Sequence, residues 1–158
     1  MQNGGFLRRA ERFDNGFFSI SLAEAAVMDP QQRLLLERGY EALHAAGLRR
    51  AALEGSVSGV FLAIAANDFA EVLKASPVGR SVYAATGSTH SIAAGRLSYV
   101  LGLKGPCVSH DTSCSSAQVP VHGAQLDVAA GGERGDLGEH QVGAAARLGW
   151  RIVHVHLE

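Results

Sequence analysis

Residues 57–64 read Val-Ser-Gly-Val-Phe-Leu-Ala-Ile, a short run in which Val60, Phe61, Leu62 and Ile64 leave almost no polar side. A run of that length and character suits a strand buried on both faces. Helical signals stand on either side of it. Asp29 is a good N-cap, Pro30 suits the first helical position, and Gln32 lies where a capping box places its amide. Leu35, Ala42, Leu43 and Ala46 fall near one helical face, and Gly47 offers a left-handed stop, so a helix is predicted over 30–46. After the apolar run, Asn67 or Asp68 caps a short helix to about Lys74, and Ser76-Pro77-Val78-Gly79 reads as a turn. A second capped helix starts near Ser88 or Thr89 and reaches about Leu101, with Gly95 inside it. Gly105-Pro106 punctuates, and 107–110 is short and strand-like. Phe13, Phe17 and Phe18 are expected to pack in the core.

A chain of 158 residues has room for one domain with one sizeable core. With 18% charged and 47% hydrophobic residues it is globular in composition rather than disordered. Glycine is the outlier, at 19 residues, and implies many tight turns and close backbone approaches, as in α/β enzymes. Net charge is −1 with dispersed basic residues, which gives no footprint for nucleic acid. No stretch approaches the roughly 18 apolar residues of a membrane span. Met1 to Phe13 is polar, with Arg8, Arg9 and Arg12, so no secretory signal is expected. Cys107 and Cys114 are too few for a disulfide scaffold and lack a zinc-ligand pattern. A reducing, cytoplasmic setting is the expectation, with an organelle left open.

The chemistry concentrates after residue 110. Ala117, Val121, Ala124 and Val128 form one helical stripe, which places Cys114 between a strand and a helix. A cysteine there meets unpaired N–H groups and the positive end of the helix dipole, both of which favour thiolate. The same N–H groups can stabilise the oxyanion formed when sulfur attacks a thioester carbonyl. The other reading of such a residue is a buried, inert cysteine among small capping residues. Cys107, on the expected strand, fits that second reading better.

Asp111-Thr112-Ser113-Cys114-Ser115-Ser116 resembles the nucleophile motif of β-ketoacyl synthases, especially those of polyketide and type I fatty-acid synthases. Gly4-Gly5-Phe6-Leu7, Phe13-Asp14 and Phe17-Phe18-Ser19-Ile20-Ser21 are similar to that family's approach to its first conserved helix. Met28-Asp29-Pro30-Gln31-Gln32-Arg33-Leu34-Leu35-Leu36-Glu37 is similar to a highly specific family signature, continued by Glu41-Ala42-Leu43 and Ala46-Gly47. Ala94-Gly95-Arg96-Leu97-Ser98-Tyr99, Gly102-Leu103 and Gly105-Pro106 lead into the cysteine in the same order. The resemblance implies an α/β, thiolase-like layered fold, incomplete here as most of the N-terminal half. It implies a ketosynthase domain over 1–136 and a divergent tail over 137–158. It also implies a decarboxylative Claisen condensation, with Cys114 as the catalytic acyl acceptor. No bound cofactor or metal is implied: acyl groups arrive on the phosphopantetheine of an acyl carrier protein. The family pairs as dimers, so a homodimer or pairing with a complete ketosynthase is expected, with the region from Thr86 to Pro106 near the partner.

Several features depart from the family pattern. Its two catalytic histidine motifs, which follow the cysteine, are not found, and His122, His140, His154 and His156 do not match them. His122 is expected to serve packing, and His110 to be a partly exposed strand residue. His154 and His156 share a strand face at a spacing that can bind metal, but no third ligand is in view. Pro120 falls inside the helix behind the thiol, where a proline costs roughly 3 kcal/mol or more. The family's first, glycine-containing strand is missing before Gly4, so the sheet is expected to lack a strand and expose an edge. Beyond about Asp136 the family pattern stops, although 151–157 is strand-like; the abrupt change suggests a truncated or frameshifted gene or a clone boundary. Two functions follow: a β-ketoacyl synthase fragment, or a catalytically incomplete module that serves a dimer interface. A cysteine hydrolase is a third reading, opposed by the Met28–Arg33 signature, for which hydrolysis gives no reason.

Overall fold

The computed structural model describes residues 11–115, 118, 119 and 122, together with the backbone of 150–156. Its centre is a parallel sheet of three strands in the order β2-β1-β3. Strand β1 is Val57–Ala63, β2 is Cys107–His110 and β3 is Trp150–His156. Six of the seven β1 residues are buried, as the apolar run requires of a strand covered on both faces. β2 pairs with β1 from Val60↔Cys107 to Ala63↔His110, and β3 pairs along its other side from Val57↔Trp150 to Ala63↔His156. The strand-like segment near the far end of the chain thus lies beside β1 on the side away from β2.

Six α-helices surround this sheet among the described residues. α2 (Pro30–Ala45) and α6 (His90–Leu101) are the long ones. Leu35, Leu36 and Leu43 of α2 pack with Leu97 and Leu101 of α6 and with Val60 and Leu62 of β1 in one core. Burying side chains of this size contributes about 1.5–3 kcal/mol each. Gly47 (φ +77°) ends α2 in the left-handed region, and the Leu48 N–H returns to the Leu43 carbonyl at 2.9 Å. The aromatic cluster packs only in part as expected: Phe18 is buried and Phe13 half-buried, their rings stacked at 5.3 Å, whereas Phe17 is exposed and meets Tyr40 edge-on at 4.9 Å. α4 (Asp68–Lys74) and a 3-10 turn at Pro77–Arg80 fall where the sequence places a short helix and a turn.

Other expectations are corrected. Helices α1 (Leu22–Ala25), α3 (Arg50–Leu53) and α5 (Ala84–Ser88) are too short to leave a periodic signal. Ala46 is exposed and Ala42 only half-buried; Gln32 and Gly39 share the buried face of α2 instead. Thr89 and Asn67 stand at N-cap positions without a side-chain cap bond; the Thr89 hydroxyl donates back to the Ala85 carbonyl. The capping box at α2 does not close. Asp29 does cap, accepting from the Gln31 N–H at 2.8 Å, but its own N–H donates to the Gly87 carbonyl at 2.8 Å. That leaves the Gln32 amide free to turn inward.

Candidate nucleophile corner

β2 leaves the sheet at its carboxyl end and enters the sequence Asp111 to Ser115. The Ile64 N–H donates to the His110 carbonyl at 3.1 Å, so the end of β1 holds the end of β2 up to the point of departure. The chain then reverses through a 3-10 turn over Ser113–Ser115, with Ser113 at φ +59°. A left-handed backbone at a non-glycine residue is costly and persists only where its surroundings fix it. The fixing bonds are local. Asp111 Oδ1 accepts the Ser113 N–H at 3.2 Å, and the Ser115 hydroxyl donates to the Thr112 carbonyl at 3.0 Å. Asp111, Thr112, Ser113 and Ser115 are all exposed. Cys114 is the middle residue of this turn. Gln118, Val119 and His122 are helical beyond it. Pro120, the stripe residues Ala117, Val121, Ala124 and Val128, and His140 lie outside the described residues.

Two residue assignments change. Cys107 is exposed rather than buried; β2 is the outermost strand on its side among the described residues. His122 is exposed and does not serve packing. His110 is half-buried on β2, as expected.

Behind the corner, the Met28–Arg33 signature resolves into structural parts that the sequence does not reveal. Arg33 donates through Nε and Nη2 to the Met28 carbonyl at 2.9 and 2.7 Å. Gln32 Nε2 donates to the carbonyls of Thr86 and Thr89 at 3.3 and 3.2 Å. Its Oε1 accepts Arg96 Nε at 2.8 Å, and Arg96 Nη1 pairs with Glu24. One buried guanidinium thus ties α1, α2 and α6 together. Gln31 reaches the loop after β1, where Nε2 donates to the Ala66 carbonyl at 3.1 Å. The same carbonyl lies 2.8 Å from His90 Nε2, and Ala66 itself has φ +63°. Two left-handed non-glycine residues, Ala66 and Ser113, therefore follow the neighbouring strands β1 and β2. Partners such as Gln32 and Arg96 stand 64 positions apart, so no local spacing announces them.

Burial pushes the Asp29 carboxyl above its ordinary range; the Gln31 N–H and the charge of His90 oppose the shift, and Asp68 adds to it. Burial lowers the Arg33 guanidinium, with Asp29 opposing. Burial also raises Glu37. Among the described residues there is no group of three or more His, Cys, Asp or Glu that could hold a metal ion. None of the described helices is long and apolar enough to cross a membrane.

Fold and corner together define an α/β protein with a cysteine in the turn at the carboxyl end of a parallel strand. Residues 1–134 match the β-ketoacyl synthase, N-terminal domain family, and the chain belongs to that family. It is 50% identical over 128 residues to a spectinabilin polyketide synthase system protein of Streptomyces orinoci, a match that covers 81% of this chain and 4% of the relative. It is 47% identical over 121 residues to a pikromycin polyketide synthase component of Streptomyces venezuelae, covering 77% of this chain and 3% of that one. Among solved structures it is similar to the ketosynthase from module 6 of the bacillaene synthase from Bacillus subtilis 168. That match has a TM-score of 0.67 at 37% identity, over 78% of this chain and 20% of the other. An oxazolomycin ketosynthase domain from Streptomyces albus JA3453 gives 0.70 at 35% identity, over 81% and 22%. The chain thus spans only a small fraction of the polyketide synthases and about a fifth of the ketosynthases it matches.

Proposed function

We propose that this chain carries the acyl-accepting cysteine of a polyketide-type β-ketoacyl synthase, on the N-terminal half of a thiolase-like layered fold. The observation that carries the reading is the turn Ser113–Ser115 at the end of β2, with Ser113 left-handed and stitched to Asp111. A turn of that kind presents its middle residue at a sharp corner. In this reading the Cys114 thiolate attacks the thioester carbonyl of an acyl chain on a carrier protein's phosphopantetheine. A new carbon–sulfur bond forms, the carrier's thiol leaves, and the acyl group stays on Cys114. The following decarboxylative condensation draws on acid–base groups in two histidine motifs that His122, His140, His154 and His156 do not match. Loading is therefore assigned to this chain, and condensation to a complete enzyme. The acyl carrier protein is the proposed donor, no bound cofactor is invoked, and a reducing cytoplasmic setting keeps the thiol free.

A second reading, an interaction module pairing with another copy or with a complete ketosynthase, is favoured by Tyr99, which is 87% exposed within the expected partner-facing region. Intact-mass analysis after incubation with an acyl-pantetheine thioester separates the two. One adduct is expected, absent in Cys114→Ala and retained in Cys107→Ala. Loading that survives Cys114→Ala would remove the assignment; a folded chain that never loads would leave the interaction reading.

A further inference from the structure

The family match ends at residue 134, yet β3 comes from residues 150–156 and runs along the whole length of the central strand. Backbone directions show what β3 supplies. The Val60 N–H donates to the Pro106 carbonyl at 2.8 Å, the Ile64 N–H to His110 at 3.1 Å, and the Gly105 N–H to the Ser58 carbonyl at 3.1 Å. Ser58, Val60, Leu62 and Ile64 therefore turn their backbone groups toward β2. Strand alternation turns those of Gly59, Phe61 and Ala63 the other way, toward β3. All three residues are buried. Buried backbone N–H and C=O groups are almost always paired, and on that side of β1 the strand paired with it is β3.

We infer that the tail strand 150–156 is an intramolecular sheet-completing segment. It docks in parallel on the free edge of β1 and supplies the hydrogen-bond partners of Gly59, Phe61 and Ala63, so the residues beyond the family match are part of the working fold. The inference is independent of any chemistry at Cys114.

Amide hydrogen exchange on the intact, isotope-labelled chain tests it directly. With β3 docked, the Gly59, Phe61 and Ala63 amides exchange as slowly as those of Val60 and Leu62, within about ten-fold. Fast exchange confined to Gly59, Phe61 and Ala63 would show a bare edge and overturn the inference. Ending the chain at Gly149 is expected to speed exchange at these three amides by about 100-fold or more. Whether Val60 and Leu62 then hold or open with them, the three have lost their partner. Unchanged protection would place another segment on that edge and refute the assignment. Protection of the three amides is expected to be independent of protein concentration; protection that is lost on dilution would seat a second copy's tail there and refute the intramolecular docking.

Discussion

Replacing Arg96 by methionine keeps the length of the side chain and removes its charge and donors. Arg96 is 8% exposed; its partners are Gln32 Oε1 at 2.8 Å, the Glu24 carboxylate, and the Thr86 carbonyl at 3.4 Å. Arg96→Met strands the Gln32 oxygen in a site where Gln32 is 1% exposed, at a cost of about 1–3 kcal/mol. Breaking a buried ion pair by removing one partner costs about 3–5 kcal/mol, because the other charge is left uncompensated. The Glu24 side chain is 25% exposed, so its carboxylate recovers part of its hydration and that second contribution shrinks. A total loss of about 3 kcal/mol is expected, against a typical domain stability of about 5–15 kcal/mol. Urea unfolding followed by far-UV circular dichroism measures it. The pair is isolated by a double-mutant cycle: Glu24→Gln with Arg96→Met is expected to lose at least about 1 kcal/mol less than the sum of the single losses. A loss under about 1 kcal/mol for Arg96→Met, or strict additivity in the cycle, would refute the view that this guanidinium joins the three helices.

Asp29→Asn keeps an oxygen for the Gln31 cap and removes the buried charge. Because the Asp29 carboxyl lies above its ordinary range in the fold, the native chain holds that proton more tightly than the unfolded chain. The charged form therefore costs stability at neutral pH, and the cost fades as pH falls through the raised value toward 3.8. The stability of Asp29→Asn relative to the parent is expected to rise with pH across that window in urea titrations; a flat or falling difference would contradict it. Gly95→Ala meets nothing within 4 Å and is expected to stabilise α6 by about 0.5–1 kcal/mol. Gly87→Ala would put its Cβ 2.1 Å from the Val27 carbonyl oxygen and is expected to lose at least about 1–3 kcal/mol; equal melting points for the two variants would rule out the close approach. Exposed Cys107 is expected to react fully with a general thiol reagent in the native chain, and Cys107→Ala to lower the native titre by one thiol. Ellman titration of parent and variant checks it.

The parts legible in the sequence are those written in contiguous residues. The β1 run, the Asp29 cap, the Gly47 stop and the strand before Cys114 depend on neighbours a few positions apart, and local sterics set them. The network behind the corner does not. Gln32 offers one amide to two possible uses, closing a local box or pairing with Arg96, and the Gly87 carbonyl decides between them by taking the Asp29 N–H. Cys107 carries no mark of its exposure, because burial of a strand residue depends on what stands beyond the strand. The positive φ of Ser113 and Ala66 is invisible for a related reason: neither residue type prefers that region, and each is held there by its surroundings. The tail is strand-like in sequence, but its seat beside β1 is a contact between segments that no short pattern encodes.

The pairing of Val57 with Trp150 sets a clock on folding. The two strands are separated by most of the chain, so at a synthesis rate of about 5–20 residues per second the tail emerges roughly 5–20 s after the strand it covers. During that interval β1 can already lie beside β2 with its other side unclaimed, and a neighbouring nascent chain offers the same edge. Crowded ribosomes on one message are thus where mispairing competes with correct closure, and slowing initiation should raise the yield of well-folded chain more than slowing elongation would.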